Sequence, residues 1–193
     1  MSSLHIYLRA LKEDDARALY DLRVRNREFL RPYEPIPPDD HFTLTAQRQV
    51  IEKAETNWSS GAGYGFGVFL TASHDLVGRV SLSNVVRGAW QSCTLGYWLD
   101  QSHNGRGYMT QAVRLAVAFA MTEVQLHRVQ AGVMPRNVAS TRVVEKSGFR
   151  YEGLAPYYLN INGAWEDHLI YSITREIWAT SSGSDPAESE NSR

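Results

Sequence analysis

The chain has little from which to build a covalent or metal-bound scaffold. One cysteine, Cys93, in 193 residues excludes an intrachain disulfide framework and fits a reducing compartment. Cys93 lies in a strand-like run with no histidine near it in sequence, so it reads as a buried structural thiol rather than a nucleophile. Six histidines, at 5, 41, 74, 103, 127 and 168, are scattered and form no H-E-x-x-H pattern, so no metal site is expected. Neither charge is in excess: 20 basic residues face 21 acidic ones, which argues against a polyanion or a membrane surface as the main partner and against direct nucleic-acid binding. The longest apolar run, Leu115 to Met121, is too short to span a bilayer, and MSSLHIYLRALKEDD lacks the apolar core of a signal peptide. A cytoplasmic protein is expected, without internal repeats.

The apolar residues that are present suit one domain over residues 1–178. From Ala179 the chain reads ATSSGSDPAESENSR, a Ser-rich tail expected to be disordered. Within the domain, Ile6 to Arg9 reads as a strand, and Asp14 or Asp15 is a candidate cap for a helix carrying Ala18, Leu19, Leu22 and Val24. Phe29 to Pro38 holds four prolines and reads as an ordered loop. A helix over Thr45 to Trp58 ends near Gly61 and Gly63, and two strands, Tyr64 to Leu70 and Leu76 to Ser83, turn at Asp75. Thr94 to Leu99 and Arg128 to Met134 read as strands, with a helix between them whose Val113, Ala116, Val117, Ala120 and Val124 share one face. That is a βαβ unit. Val138 to Lys146 is a short helix closed by Gly148. Phe149 to Glu152 and His168 to Ile173 are final strands, joined by an aromatic loop from Tyr157 to Trp165.

Between the first strand of the βαβ unit and its helix stands NGRGYMT, Asn104 to Thr110. A helix that starts after a glycine-rich turn offers unpaired backbone NH groups and the positive end of its dipole to an anion. A P-loop would need Gly-Lys-Ser/Thr, whereas Gly107 is followed by Tyr108 and Met109. A dinucleotide fingerprint would need a third small residue where Thr110 stands, and Glu123, near the place for a ribose-binding acid, falls inside the helix. An ordinary strand-to-helix turn is the bland alternative.

Taken together, NGRGYMT, RNVAS, EKSGF and RYEG resemble the Gcn5-related N-acetyltransferase (GNAT) family, in a resemblance that runs to about Trp178. It implies the GNAT acyl-CoA N-acyltransferase fold of the α/β class: a mixed, mostly antiparallel central sheet, splayed at one parallel strand pair and flanked by helices. NREFLRPYEP, LSNVVRG, LGYWL and INGAWEDHL are more narrowly similar to the RimJ branch of its RimJ/RimL ribosomal-protein enzymes. Met109 departs from the family pattern, which has a smaller residue there. The implied donor is acetyl-CoA, with no metal, and the implied acceptor is a protein N-terminus, a ribosomal protein above all. Monomer and homodimer both stay open.

What the resemblance implies can be placed on residues. The backbone of Asn104, Gly105, Arg106, Gly107, Tyr108, Met109 and Thr110 would hold the pyrophosphate, with the Arg106 side chain adding charge. Tyr97, Trp98 and Leu99 would pair with the pantetheine arm, and an NH near Trp98 or Leu99 would serve the oxyanion. Asn137 would meet a pantetheine amide, and Ser140 would protonate the departing sulfur. The base is not supplied in the same way: some relatives carry a carboxylate in the loop after the RYEG-like strand, and here that stretch is APYYLNING, which has none. Glu34 and Tyr157 are therefore the remaining catalytic candidates beside Ser140, with a water relay as another route. Asp167 and His168 look like a strand-end pair facing the acceptor groove. Two other functions compete with protein N-terminal acetylation. A small-amine acetyltransferase would favour a closed pocket with carboxylates, and a non-catalytic acyl-CoA-binding or ribosome-assembly module would show no turnover.

Overall fold

The structure is a computed structural model, and it describes residues 5–182. Seven strands form one sheet in the order β1-β2-β3-β4-β5-β7-β6. They are β1 (Ile6–Ala10), β2 (Tyr64–Leu70), β3 (Leu76–Val86), β4 (Ser92–Leu99), β5 (Arg128–Val133), β6 (Arg150–Ile161) and β7 (Ala164–Thr174). Every neighbouring pair is antiparallel except β4 and β5. The mixed sheet with one parallel pair is the architecture that the resemblance implied.

Helices cover both faces. On one face lies α4 (Tyr108–Thr122), whose Ala112, Val113, Ala116, Val117 and Ala120 are fully or almost fully buried with Val80, Leu82 and Leu95 of the sheet. The alanines at four-residue steps bring the helix backbone close to the strands. The short α5 (Val138–Lys146) buries Val144 in the same cluster. On the other face α1 (Ala16–Arg25) and α3 (Leu44–Ser59) bury Leu19, Leu22 and Ile51 with Phe69 and Leu76. Strand alternation explains the division, since the adjacent Val68 and Phe69 belong to different clusters.

Several expectations are corrected. Ala18 and Val24 point outward on α1, because the buried stripe follows Leu19 and Leu22. Asp15 precedes α1 without capping it: its carboxylate receives Arg9 at 2.6 and 2.8 Å and the Lys12 NH at 2.7 Å. The proline segment is partly helical, with α2 (Arg27–Leu30) followed by a 3₁₀ turn at Arg31–Tyr33, because Pro32 falls where a first-turn residue needs no NH. The expected aromatic loop is instead a long hairpin of β6 and β7, turning tightly at Asn162 (φ 48°) and Gly163 (φ 86°). A final helix, α6 (Arg175–Ser182), buries Ala179, so the chain stays ordered four residues into the segment read as a tail. The rest of that tail lies outside the described residues.

Candidate active site

The strand-to-helix loop is anchored from below by one carboxylate. Asp100 follows β4, is 3% exposed, and receives hydrogen bonds from Arg25 (2.6 Å), Asn26 (2.9 Å), Ser102 (2.8 Å) and His103 (3.1 Å). Asn26 also accepts the Gln101 NH at 2.9 Å. Burial alone would raise the Asp100 pKa, but the hydrogen bonds from Arg25, Asn26 and Ser102 outweigh it and hold the group below the usual carboxylate range. The network leads into a 3₁₀ turn at Gln101–His103 and delivers Asn104 to Gly107 to the start of α4.

Gly105 and Gly107 both adopt φ +77°, and a Cβ on either would meet no heavy atom within 4 Å. The left-handed backbone explains the glycines, and the open space explains why an anion can approach. Gly107 caps α4 without a side-chain hydrogen bond, and no acid stands in the first turn. The NH groups there keep their positive end free of a competing carboxylate. Met109 is buried at 6%, so its bulk goes into the core. Arg106 and Asn104 are exposed; Tyr108 and Thr110 are half-buried.

Beside this loop the sheet opens. β4 and β5 pair only at Ser92/Arg128, Cys93/Val129 and Thr94/Gln130. Asp100 donates its NH to Val77, directly opposite in the antiparallel register with β3. By alternation Trp98 and Gly96 also turn their backbone groups to β3, leaving those of Leu95, Tyr97 and Leu99 facing the gap. Of the two oxyanion candidates, Leu99 therefore presents its NH to the opening and Trp98 does not. From the α4 face Ser140 lines the gap, its Oγ 2.7 Å from the Tyr97 hydroxyl. Burial pushes the Tyr97 phenol up to about 12, and the hydrogen bond with Ser140 offsets only part of that, so the pair is neutral. Asn137 caps α5 by accepting the Ser140 NH at 3.1 Å, which leaves its amide NH₂ for a ligand. Cys93 is buried and its thiol is raised to about 12 by burial, in keeping with an inert group.

The opposite mouth of the gap is lined by glycine. Leu95 and Ala131 face the α4 core, so the neighbouring Gly96 and Gly132 face α1 and α3. A Cβ on Gly132 would lie 3.3 Å from the Tyr158 ring and 3.5 Å from the His168 ring. Glycine there lets both rings reach from β6 and β7 across β5 toward the gap. His168 is 3% exposed and its Nδ1 lies 3.0 Å from the Glu166 carbonyl. A carbonyl only accepts, so Nδ1 carries the proton and Nε2 is left with a bare lone pair.

The other two catalytic candidates lie on this side of the sheet but are engaged in its frame or turned outward. Glu34 accepts hydrogen bonds from both terminal nitrogens of Arg23, at 3.0 and 2.7 Å, so each of its oxygens is already engaged. Tyr157 sits in a bulge at φ 49° with its side chain 74% exposed, and its NH goes to Asp167 at 2.8 Å. Asp167 thus serves the bulge. The proline segment and the hairpin close together over this side, through Asn162 NH to the Glu34 carbonyl at 3.0 Å and Arg136 to the Pro32 carbonyl (3.0 Å) and Glu166 (2.7 Å). Beneath them is a cavity of about 290 Å³ that Arg27, Glu34, Ile36, Phe42 and Asn162 help to line.

A sheet parted at its one parallel pair, beside a glycine loop that opens a helix, offers free strand edges to an amide-bearing chain and NH groups to an anion. Residues 5–150 match the family described as the Acetyltransferase (GNAT) domain. The chain belongs to the GNAT acetyltransferases. It is 45% identical over 168 residues to a probable N-acetyltransferase, YjcK, of Bacillus subtilis (strain 168), covering 87% of this chain and 93% of that one. With the [ribosomal protein uS5]-alanine N-acetyltransferase of Escherichia coli (strain K12) it shares 32% identity over 173 residues, 90% of this chain and 89% of the other. A solved structure of Mycobacterium smegmatis RimJ in complex with CoA-disulfide superposes with a TM-score of 0.85 at 32% identity, covering 92% and 89% of the two chains. This GNAT protein is accordingly an N-acetyltransferase. Among the described residues, no helix is long and apolar enough to cross a membrane.

Proposed function

We propose that this enzyme transfers the acetyl group of acetyl-CoA to the α-amine of a protein N-terminus, with a ribosomal protein as the acceptor. The reading is carried by the glycine-lipped mouth between β4 and β5, which faces the helix pair α1 and α3 and has the bare Nε2 of His168 beside it. The likeness to the uS5-alanine enzyme supports the acceptor class. Charge supports it too. Glu34 is neutralised by Arg23, and Arg79 and Arg23 lie close together on the acceptor side, an environment that repels a polyamine.

The residues present fit acetyl-CoA, which supplies an activated acetyl thioester. NH groups from Gly105 to Thr110 would hold its pyrophosphate, with Arg106 alongside. The free edges of Tyr97 and Leu99 and the amide of Asn137 would hold the pantetheine amides. Leu99 NH would stabilise charge developing on the acyl oxygen. His168 Nε2 would take the proton from the incoming amine, directly or through one water, and Ser140, backed by Tyr97, would return a proton to sulfur. An α-amine near pKa 7.7 to 8.0 is about 3 to 4 kcal/mol easier to deprotonate at neutral pH than a lysine near 10.4, so a single imidazole suffices.

Incubation with acetyl-CoA and peptides beginning Ala, Ser or Met, with the acetyl group located by mass spectrometry, tests the acceptor class. Acetylation of the α-amine is the expected result; modification confined to internal lysines would overturn it. Ser140→Ala should lower kcat by about 10- to 100-fold, at or below the lower range for a general acid because a thiol leaves readily. Its KM for acetyl-CoA should stay close to wild type, and a purely cofactor-binding role would reverse that split.

A further inference from the structure

Arg79 on β3 is a half-buried cation without a counter-ion. Its Nε has no hydrogen-bond partner, and among the described residues no carboxylate pairs with it. Nearby Arg23, 6% exposed, commits its two terminal nitrogens to Glu34 and leaves its own Nε without a partner. Of the two guanidinium groups, only that of Arg23 is paired with the Glu34 carboxylate. Burial and the charge of Arg23 lower the Arg79 pKa to about 10, which still leaves it protonated at neutral pH. A half-buried cation whose Nε is shut away from water without a partner is costly unless something answers it.

The surroundings are built to receive a polar group. Arg79 lines a groove of about 540 Å³ together with Asn57, Gly65, Ser81, Ser83 and Asn84. A Cβ on Gly65 would come within 3.5 Å of the Arg79 guanidinium, so glycine there keeps the groove floor clear. In the β3–β4 register Arg79 is opposite Trp98, and Ser81 is opposite Gly96, one lip of the gap. One strand spacing and two residues of rise put Arg79 about 8 Å from that lip along the sheet, two to three residues of extended chain.

We propose that Arg79, with the Nε of Arg23 beside it, binds a carboxylate carried by the acceptor two to four residues from the reacting amine. The substrate class is thus an acidic N-terminal segment. This inference rests on the N-terminal acetyltransferase reading, and the two are tested by different quantities.

The experiment measures kcat/KM for Ala-initiated peptides with Glu at position 2, 3 or 4 against the same peptides with Gln. Wild type should favour one of the Glu peptides by about tenfold or more, the range for hydrogen bonds to a charged partner. In Arg79→Gln that ratio should fall to about one, and Arg79→Lys should keep part of it. Equal turnover of Glu and Gln peptides by wild type, or an undiminished ratio in Arg79→Gln, overturns the proposal. Stabilisation of wild type but not of Arg79→Gln by inorganic phosphate, together with equal peptide turnover, would assign the arginine to a free anion and also overturn it. Absence of α-amine acetylation on every peptide would instead be the failure of the N-terminal reading. The comparison between peptides needs only the wild-type protein, so it stands even if a variant folds poorly.

Discussion

Replacing His168 with glutamine should reduce kcat/KM for an α-amine acceptor by about 100-fold or more, the contribution of a positioned general base. Glutamine keeps a hydrogen-bonding side chain near the Glu166 carbonyl and over Gly132, but it has no lone pair basic enough to take a proton from an ammonium. The KM for acetyl-CoA should change little, because His168 lies on the face of the sheet opposite α4 and Ser140. Chemical rescue separates catalysis from packing. Added imidazole should restore part of the turnover of His168→Gln, because it can take the proton that the lost side chain took. A loss of turnover that imidazole leaves unchanged would make His168 a packing residue held by Tyr158 (ring centroids 5.4 Å apart) and would return the base to a water relay.

Why the histidine was harder to read than the loop is a matter of range. The glycine loop, the α4 stripe and α5 are local patterns: φ +77° at Gly105 and Gly107, apolar spacing over Ala112 to Ala120, and Asn137 as an N-cap are each set within a few residues. The parallel pair follows from the βαβ order, and its gap was implied by the family resemblance. The acceptor side is assembled from distant pieces. Glu34 meets Arg23 from another helix, and its engagement cannot be inferred from its own flanking prolines. Tyr158 rather than Tyr157 lies over Gly132, because of a bulge that no residue type announces. One available signal was missed: Asn162-Gly163 is a strong hairpin dipeptide, and it would have converted the aromatic loop into strands. That would have lengthened both final strands and paired them, leaving the bulge and the partner of β5 unread.

The largest effect on stability should come from Asp100, in a variant that touches no reacting atom. Asp100→Ala should cost about 2 to 3 kcal/mol, the range for hydrogen bonds to a charged group whose loss leaves a buried amide one partner short. The loss comes chiefly from Asn26 and the Gln101–His103 turn, because Arg25 is half-exposed and its screened pair contributes only about 1 kcal/mol or less. The pH dependence gives the signature. Asp100 titrates below its unfolded value near 3.9, so its contribution is fully present above that value and is lost as pH falls through the lower folded one. Denaturant unfolding at pH 7 should therefore show the full difference between wild type and Asp100→Ala, and that difference should shrink as pH drops below about 4. A constant gap down to acid pH would mean that shape, not charge, holds the turn. Because the same turn delivers Gly105 and Gly107 to the start of α4, acetyl-CoA affinity in the folded fraction should fall as well. Calorimetric titration that found affinity intact would show that the glycine loop keeps its conformation without its anchor.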